Sequence, residues 1–578
     1  MSSKSFGLVA AAFVVVASTL VGGILGSPVR RLYVRSEKSS SAQVVEQSYT
    51  EALSAVEENY ADEVDYEKAS QAAIQGMLSA LDPHSNFFTP GEFQKLKQDQ
   101  TSRFIGIGVN ILRHRDGVYV QAPVEGTPAA QAGLRFGDRI VEVDGKDTRD
   151  WTTQQVSNAV RGPRGERVTL KVERAGADHA LNFTIVRDSV PLPSIRTAYM
   201  IRPGVGYVAL VGGFNETTAE ELHESIENLG KEGMRQIVLD LRNNPGGLLD
   251  QSISVASQFL PRGHTVVSVR GREDEQQKVY KNIGVEPVEF PLVVLINRNS
   301  ASASEIVAGA IQDHGRGLVV GETSFGKGLV QRLFPLPFGA GLTLTTAKYY
   351  TPYGRMIQRD YSTGSLYDYY VRHDPEDEPQ PAQPGSPSLA VPPRAPDPRA
   401  LPTPEATPQP TPAHPTGPAI RTAAGRVFYG GGGITPDIEV KPLDIDAPIR
   451  NRIFEASFFF TRQLAAGLIP GLESYRIDEP QPGRYPRPTD FAINERVLEA
   501  FRQFVRRDPE SALSPAQIET HLAYVKLRLR DDLVTAAYGT EAGARVLLDA
   551  DPQLLRALDA LPDAKRLAEN VVRGITLN

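Results

Sequence analysis

Short apolar runs alternate with helical stripes through the middle of the chain. Residues 205–210, 236–241, 291–296 and 318–320 are rich in β-branched and apolar residues, as expected of buried strands. Residues 218–230, 248–260 and 305–311 have the spacing or composition of helices. This order predicts a β-α-β domain.

Other patterns flank this domain. Residues 44–81 show helical spacing that ends at Asp82-Pro83. Residues 104–186 read as short strands around one short helix, and 168–173 alternates as a half-buried strand does. Beyond residue 444, four helices are predicted at 453–468, 494–506, 515–538 and 541–561.

Residues 6–26 form an uncharged, almost wholly apolar segment of 21 residues, long enough to span a bilayer. No clean A-x-A site ends it, so we expect an uncleaved anchor with the bulk of the chain in the periplasm or another extracytoplasmic space. Arg30, Arg31, Arg35 and Lys38 favour the opposite orientation, and that conflict stays open. If the segment is cleaved, the protein is secreted.

The composition of the chain excludes several kinds of site and partner. A net charge of −7 gives no sign of a nucleic-acid partner. The absence of cysteine excludes disulfides and thiol catalysis, and the nine histidines lack ligand spacing. We therefore expect no metal site and no cofactor.

Candidate chemistry is concentrated in residues 297–331. Ser302 lies where a predicted strand leads into a helix, a place where free N–H groups favour a developing oxyanion. Lys327 lies on a glycine-rich loop after the next strand. A hydroxyl and a lysine so placed form a candidate nucleophile and base. Taken singly, small residues at such a turn are more often helix caps, and a lysine between glycines is usually a solvated charge.

Two other hypotheses use the same region. Residues 321–327 fit the start of a phosphate-binding loop, but Gly328 replaces the Mg²⁺-binding hydroxyl and a strand is predicted where a helix is required. His314 and Asp313 could complete a Ser-His-Asp triad, but adjacent residues cannot easily hold the geometry of base and orienting group.

A wider set of motifs carries a family resemblance. Within 104–186, the pattern P-A-x-x-A-G-L-x-x-G-D-x-I-x-x-V-D-G resembles a PDZ domain. Asp82-Pro-His-Ser85, Asp240-Leu-Arg-Asn-Asn-Pro-Gly-Gly247, Ser300-Ala-Ser-Ala-Ser-Glu305 and Gly326-Lys-Gly328 accompany it. In order and spacing these motifs resemble the carboxy-terminal processing (tail-specific) peptidases, which are serine peptidases with a Ser–Lys pair. The resemblance covers roughly residues 44–440 apart from one insertion.

The resemblance implies roles for individual residues. Ser302 matches the nucleophile, Lys327 the general base, and Gln331 the residue that orients the lysine amine. The backbone N–H groups of Gly247 and Ala303 match the oxyanion hole, with Gly246 beside them. The PDZ likeness implies capture of a peptide C-terminus as an added strand, its carboxylate held by backbone N–H groups of Ile105, Gly106, Ile107 and Gly108.

The expected fold is multidomain α/β, and six segments follow from the pattern. These are an anchor or signal segment with linker (1–40), an N-terminal helical region (41–95), a PDZ-like β-rich domain (96–188), an α/β (β-α-β) peptidase core (189–373 and 419–442), a proline-rich insertion (374–418) and a C-terminal helical region (443–578). The insertion holds sixteen of the 44 prolines and cannot form a core.

The expected function is that of an extracytoplasmic serine endopeptidase that recognises C-terminal tails of its substrates. A catalytically silent PDZ adaptor is the alternative from another class. Expected partners are proteins or peptides with free C-termini and a membrane; dimerisation or a higher oligomer, and activation by an adaptor protein, stay open.

Overall fold

The computed structural model describes residues 39–272, 277–284, 286–361, 417–422 and 425–572. The apolar segment at 6–26 lies outside the described residues, as does the proline-rich insertion up to residue 416. No helix among the described residues is both long enough and apolar enough to cross a bilayer. The chain divides into two compact units, Met1–Leu81 and Asp82–Asn578.

Two helices make up the described part of the first unit, α1 (Ser39–Asn59) and α2 (Tyr66–Ser79). Asp65 begins α2 because its side chain accepts a hydrogen bond from the N–H of Lys68 at 3.0 Å. The helical spacing at 44–81 is therefore confirmed, but as two helices with a break between them.

The second unit opens with a β-rich module. Its elements, in chain order, are β1 (Asn86–Phe88), α3 (Pro90–Gln100), β2 (Arg103–Gly106), β3 (Val109–His114), β4 (Gly117–Pro123), α4 (Pro128–Gln131), β5 (Arg139–Val143), β6 (Lys146–Asp147), α5 (Thr153–Val160), β7 (Arg167–Glu173), β8 (Leu181–Val186) and β9 (Asp188–Pro191). The main sheet has the order β3-β4-β5-β7-β8, with β6 beside β5, and β2 pairs separately with β9. In β7, Val168, Leu170 and Val172 are buried and the residues between them are not, so the predicted alternation places one face on the core.

The α/β core follows as alternating strands and helices. They are β10 (Ile195–Arg202), β11 (Val205–Leu210), α6 (Thr218–Lys231), β12 (Gln236–Asp240), α7 (Leu249–Ser257), β13 (Thr265–Gly271), β14 (Lys278–Lys281), β15 (Leu292–Ile296), α8 (Ala303–Asp313), β16 (Leu318–Gly321), β17 (Leu329–Pro335), β18 (Gly341–Tyr350), β19 (Ala419–Arg421), β20 (Val427–Tyr429) and β21 (Ile438–Glu439). One sheet has the order β10-β11-β12-β15-β16-β21 and is parallel from β11 onward. Every residue of β11 and β15 is buried, as in a sheet covered on both faces.

A second sheet of this core has the order β1-β18-β13-β14, with β17 paired to β18. Because β17 follows Lys327 directly, this sheet fixes one end of the lysine loop, while β16 of the parallel sheet fixes the other. The two sheets therefore meet at the candidate site.

In the part of the C-terminal region that the structure describes, up to residue 572, there are six α-helices. They are α9 (Ala447–Ala465), α10 (Glu495–Arg507), α11 (Pro515–Thr520), α12 (Leu522–Tyr538), α13 (Thr540–Leu548) and α14 (Pro552–Val572). The single helices predicted at 515–538 and 541–561 are wrong, since each is two helices, and α14 continues through Pro562. Leu554, Leu558 and Leu561 of α14 pack on the second face of the parallel sheet.

The C-terminal region also contacts the β-rich module. Arg462 of α9 donates from its guanidinium to the carbonyls of Gly137 at 2.6 Å and Glu173 at 2.9 Å. His114 Nδ1 of β3 lies 2.9 Å from Glu455 Oε1. The multidomain α/β architecture expected from the sequence is confirmed.

Candidate active site

Ser302 lies on the turn between β15 and α8, as the N-cap residue of α8. Its backbone has φ 55° and ψ −111°, a conformation that is rare for a residue with a side chain and costs on the order of 1–3 kcal/mol. Such strain persists only where neighbouring contacts enforce it.

Glu305 supplies those contacts. It is completely buried on the first turn of α8. Its Oε2 accepts the backbone N–H of Ser302 at 2.7 Å and that of Lys327 at 2.9 Å. Its Oε1 accepts the hydroxyl of Ser324 at 2.5 Å and the N–H of Gly326 at 2.6 Å. Because one carboxylate oxygen binds both backbone amides, the Ser302 turn and the loop that carries Lys327 are held together.

Three of the four partners of Glu305 are backbone N–H groups, which can only donate, and the Ser324 hydroxyl is placed to donate as the fourth, an arrangement that favours the ionised carboxylate. Burial raises the pKa of Glu305, and the four hydrogen bonds oppose that rise.

Tyr349 of β18 joins the same two backbones from the carbonyl side. Its hydroxyl lies 3.0 Å from the carbonyl oxygen of Ser302 and also contacts the carbonyl oxygen of Lys327. Its side chain is buried, so the contact is sheltered from water. Glu305 and Tyr349 therefore fix the backbones of Ser302 and Lys327 through both their N–H and their C=O groups.

Lys327 lies on the loop between β16 and β17. Burial lowers the pKa of its amine below the ordinary value of 10.5, although the charges of Glu305 and Asp82 act in the opposite direction. Within the described residues its Nζ makes no hydrogen bond to the hydroxyl of Ser302. A lysine whose charged form is disfavoured by burial is chemically suited to accept a proton.

The turn at residues 243–247, which we call the oxyanion turn, lies against Ser302. A Cβ placed on Gly246 would be 2.7 Å from Ser302 Cβ, so only glycine allows this approach. The N–H of Gly246 donates to Asn244 Oδ1 at 2.8 Å, which leaves it engaged inside the turn. Among the described residues, the N–H groups of Gly247 and Ala303 donate to no acceptor. Those two donors are available to an oxyanion.

Gln331 lies on β17 opposite Thr345 of β18. Its Nε2 donates to Thr345 Oγ1 at 3.3 Å, and Thr345 Oγ1 donates to Asp82 Oδ1 at 3.1 Å. The amide nitrogen of Gln331 is thus engaged by Thr345. The Asp82-Pro-His-Ser85 motif of the sequence therefore supports Gln331 through Thr345.

His84 of the same motif also faces the site. Burial lowers the pKa of His84 to about 4, and the positive charge of Lys327 acts in the same direction. The imidazole is therefore neutral at neutral pH and adds no charge beside the lysine amine.

Sequence reasoning missed Glu305, Tyr349 and Thr345. Ser302 and Glu305 have the S-x-x-E spacing of a capping box, which could have pointed to Glu305. Nothing in the local sequence points to Tyr349 or Thr345, because their roles depend on the pairing of β18.

The two competing hypotheses for this region do not fit the structure. Residues 329–335 form β17, so the helix required after a phosphate-binding loop is replaced by a strand. Asp313 pairs with Arg355 Nη2 at 2.5 Å, and His314 Nε2 lies 2.7 Å from the carbonyl oxygen of Thr265. Both lie at the opposite end of α8 from Ser302.

The predicted carboxylate turn of the β-rich module is divided in two. Ile105 and Gly106 belong to β2 and pair with Ser189 and Asp188 of β9. Ile107 and Gly108 lie outside the strands, and among the described residues their N–H groups donate to no acceptor. β3, which follows them, is an edge strand of its sheet.

Comparisons with known proteins agree with this organisation. A family model described as Peptidase family S41 matches residues 204–371, and a PDZ domain model matches residues 119–174. A carboxy-terminal-processing protease of Bartonella bacilliformis is 40% identical over 299 residues, which are 51% of this chain and 68% of that protein. A carboxyl-terminal-processing protease of a Picosynechococcus species is 37% identical over 308 residues, 52% of this chain and 73% of that protein.

Among solved structures, a photosystem II D1 C-terminal processing protease is 33% identical and matches 52% of this chain and 81% of its own, with a TM-score of 0.32.

The fold, the turns around Ser302 and the two family matches define a PDZ-containing peptidase of the serine class. The chain belongs to the carboxy-terminal-processing proteases of peptidase family S41. The suspected resemblance is confirmed.

Proposed function

We propose that the protein is a serine endopeptidase that cleaves substrates with a Ser302–Lys327 pair. One observation carries this proposal. The backbones of Ser302 and Lys327 hydrogen-bond to the same oxygen of Glu305, and two unused N–H donors flank Ser302, one from Gly247 of the oxyanion turn and one from Ala303 of α8. The arrangement supports a role for the Ser302 hydroxyl as nucleophile, for an amine whose pKa burial lowers as base and for the unused N–H groups as oxyanion donors.

The reaction follows from the groups present. Ser302 Oγ attacks the scissile carbonyl while its proton passes to the neutral amine of Lys327. The N–H groups of Gly247 and Ala303 stabilise the oxyanion. The Lys327 ammonium then protonates the leaving amine as the peptide C–N bond breaks, which leaves an acyl ester on Ser302. Water, deprotonated by the same lysine, hydrolyses that ester and restores both groups.

Gln331 suits a supporting role for this lysine. Its Oε1 accepts a hydrogen bond from the amine without supplying a negative charge that would hold the proton. We expect Gln331→Ala to lower kcat less than Lys327→Ala does.

Purified protein incubated with an unfolded substrate tests this proposal. We expect Ser302→Ala and Lys327→Ala to abolish cleavage, and Lys327→Arg to stay inactive because guanidinium does not deprotonate in this range. Lys348→Ala and Ser79→Ala, on exposed positions, serve as matched controls that retain activity. Cleavage by Ser302→Ala at the wild-type rate would contradict the assignment. Binding of tails without any cleavage by wild type would instead favour the silent adaptor.

We also propose that the PDZ domain captures the free C-terminus of a substrate. The edge strand β3 offers unpaired backbone groups to an added strand, and the N–H groups of Ile107 and Gly108 suit its carboxylate. Capture raises the local concentration of the tail near Ser302. A substrate with an amidated C-terminus should be cleaved more slowly than its acid form, through a higher KM. Equal rates for acid and amide would contradict carboxylate recognition.

For localisation, we propose a single N-terminal anchor with the bulk of the chain outside the cytoplasm. The support is the uncharged apolar segment at 6–26. Membrane fractionation of the full chain and of a variant lacking residues 1–38 tests this. The full chain should resist a carbonate wash and the shortened one should not sediment. Equal release of both would argue against an anchor.

A further inference from the structure

The C-terminal helical region lies outside both family-model matches, yet it contacts Arg242, the residue next to the oxyanion turn. Arg242 directly precedes that turn. Its guanidinium donates to Asp240 Oδ2 at 2.7 Å through Nη2. Through Nη1 it donates to Asp551 Oδ2 at 2.6 Å and to Gln553 Oε1 at 2.9 Å.

Both C-terminal partners are themselves fixed. The second oxygen of Asp551 accepts the N–H groups of Gln553 at 2.9 Å and Leu554 at 3.1 Å, which caps α14. Gln553 Nε2 donates to the carbonyl of Val440 at 2.8 Å. Because α14 is packed on the sheet through Leu554 and its successors, Arg242 is held by a buried support.

The other side of the oxyanion turn hydrogen-bonds to residues on either side of Ser302. The N–H of Asn243 donates to Asn297 Oδ1 at 2.9 Å. The carbonyl of Asn244 accepts the N–H of Ala301 at 3.0 Å and the hydroxyl of Ser304 at 3.1 Å. The turn is therefore held between the Ser302 turn in front and Arg242 behind.

The contacts on both sides hold a strained backbone in place. Asn243 has φ 58° and Gly246 has φ 96°, so the chain passes twice through the left-handed region within four residues. A non-glycine residue there costs on the order of 1–3 kcal/mol and holds only where the surroundings enforce it. The ion pair behind the turn supplies such enforcement.

We propose that Asp551 and Gln553 are positioning residues for catalysis, which act through Arg242 to hold the N–H of Gly247 where the oxyanion forms. The C-terminal helical region is thereby part of the catalytic apparatus. This inference rests on the proposed function, since it assigns the oxyanion site that the Ser302–Lys327 pair requires.

Asp551→Asn tests the inference with little change of shape. Asparagine caps helices as well as aspartate, so the start of α14 is kept while Arg242 loses its charged partner in the C-terminal region and keeps only Asp240. Loss of an oxyanion donor costs about 10²–10³ in kcat, so displacement of one should cost about 10-fold or more. On a short peptide we expect that loss in kcat with KM changed less than about twofold, because the interaction is made in the transition state.

Asp508→Asn is the matched control. Asp508 also lies in the C-terminal region and pairs with an arginine, Arg115, at 2.8 Å. Its side chain is 15% exposed, against 19% for Asp551. It should keep the wild-type kcat. A peptide aldehyde, whose adduct with Ser302 carries an oxyanion, adds a second measurement: its inhibition constant should rise in Asp551→Asn by about the factor by which kcat falls.

Hydrogen exchange of residues 241–248 separates this inference from the proposed function, because it needs no catalysis. Faster exchange there in Asp551→Asn supports the positioning role even if wild type cleaves nothing, which would contradict the proposed function alone. Unchanged exchange with wild-type kcat and aldehyde inhibition overturns the inference. If α14 also exchanges faster, the Asp551→Asn result could come from damage to that helix, and Gln553→Ala separates the two causes because it leaves the Asp551 cap in place. The same loss in kcat in Gln553→Ala supports the positioning role, and a wild-type kcat overturns it.

Discussion

Glu305→Gln is the sharpest perturbation of the site, because it keeps the shape of the side chain and changes only charge and one hydrogen-bonding group. The carboxylate accepts four hydrogen bonds, two on each oxygen. Glutamine retains one accepting oxygen. Its amide nitrogen is best placed toward Ser324, whose hydroxyl can accept as well as donate, which leaves the N–H of Gly326 facing another donor.

The expected loss of kcat can be worked out from the hydrogen bonds that are lost or weakened. One charge-assisted hydrogen bond is lost, at about 1.5–3 kcal/mol. The bonds from the N–H groups of Ser302 and Lys327 survive to a neutral oxygen at roughly half their strength. If about 3 kcal/mol of that loss falls on the geometry of the site, kcat drops by about 100-fold. Removal of a buried charge partly offsets the cost to the fold, so stability should change less than kcat does.

The pH profile supplies an independent check. The negative charge of Glu305 raises the pKa of Lys327 against the effect of burial. Without that charge the lysine pKa falls further, so the neutral base is present at lower pH. The acidic limb of kcat/KM should therefore shift to lower pH in Glu305→Gln while the plateau falls. Wild-type kcat, or a limb shifted to higher pH, would refute the reasoning.

Three further predictions concern the Tyr349 hydroxyl, the charge of Lys327 and the turn at Gly108. Tyr349→Phe removes only the hydroxyl that contacts the carbonyls of Ser302 and Lys327, so kcat should fall about tenfold with KM unchanged; equal kcat would show that this contact does not position the pair. Lys327→Met should stabilise the fold at neutral pH, because folding lowers the pKa of the lysine and this costs stability until the pH approaches 10.5. In urea unfolding, the difference in free energy of unfolding between variant and wild type should therefore shrink as the pH rises from the folded pKa toward 10.5, and a growing difference would contradict the argument. Gly108→Ala places a Cβ 2.4 Å from Thr127 Cβ at a φ of 77°, so KM should rise for an acid-ended substrate and not for its amide; an equal rise for both would argue against carboxylate binding there.

The sequence allowed the nucleophile turn to be predicted because its flanks are unambiguous. An apolar β-branched run precedes Ser302 and a helical run follows it, and the structure has β15 and α8 there. The strand after Lys327 was predicted for the same reason, and it separated this loop from a phosphate-binding one.

Other features depend on tertiary contacts that no local pattern carries. The approach of the oxyanion turn to Ser302 is one of them, since a Cβ on Gly246 would lie 2.7 Å from Ser302 Cβ. The last helix was predicted to end at residue 561, but α14 continues through Pro562, and Ala564 and Leu567 beyond it are buried. The contact between Asp551 and Arg242 joins positions 309 residues apart.

Trapping of the acyl intermediate tests the central claim most directly. A nitrophenyl ester of a short peptide acylates readily, so hydrolysis of the ester intermediate limits turnover and the adduct accumulates. After an acid quench, mass spectrometry of the digested protein should find the acyl group on Ser302 in wild type and no adduct in Lys327→Met. An adduct on another residue, or equal acylation of Ser302 in Lys327→Met, would contradict the Ser302–Lys327 mechanism.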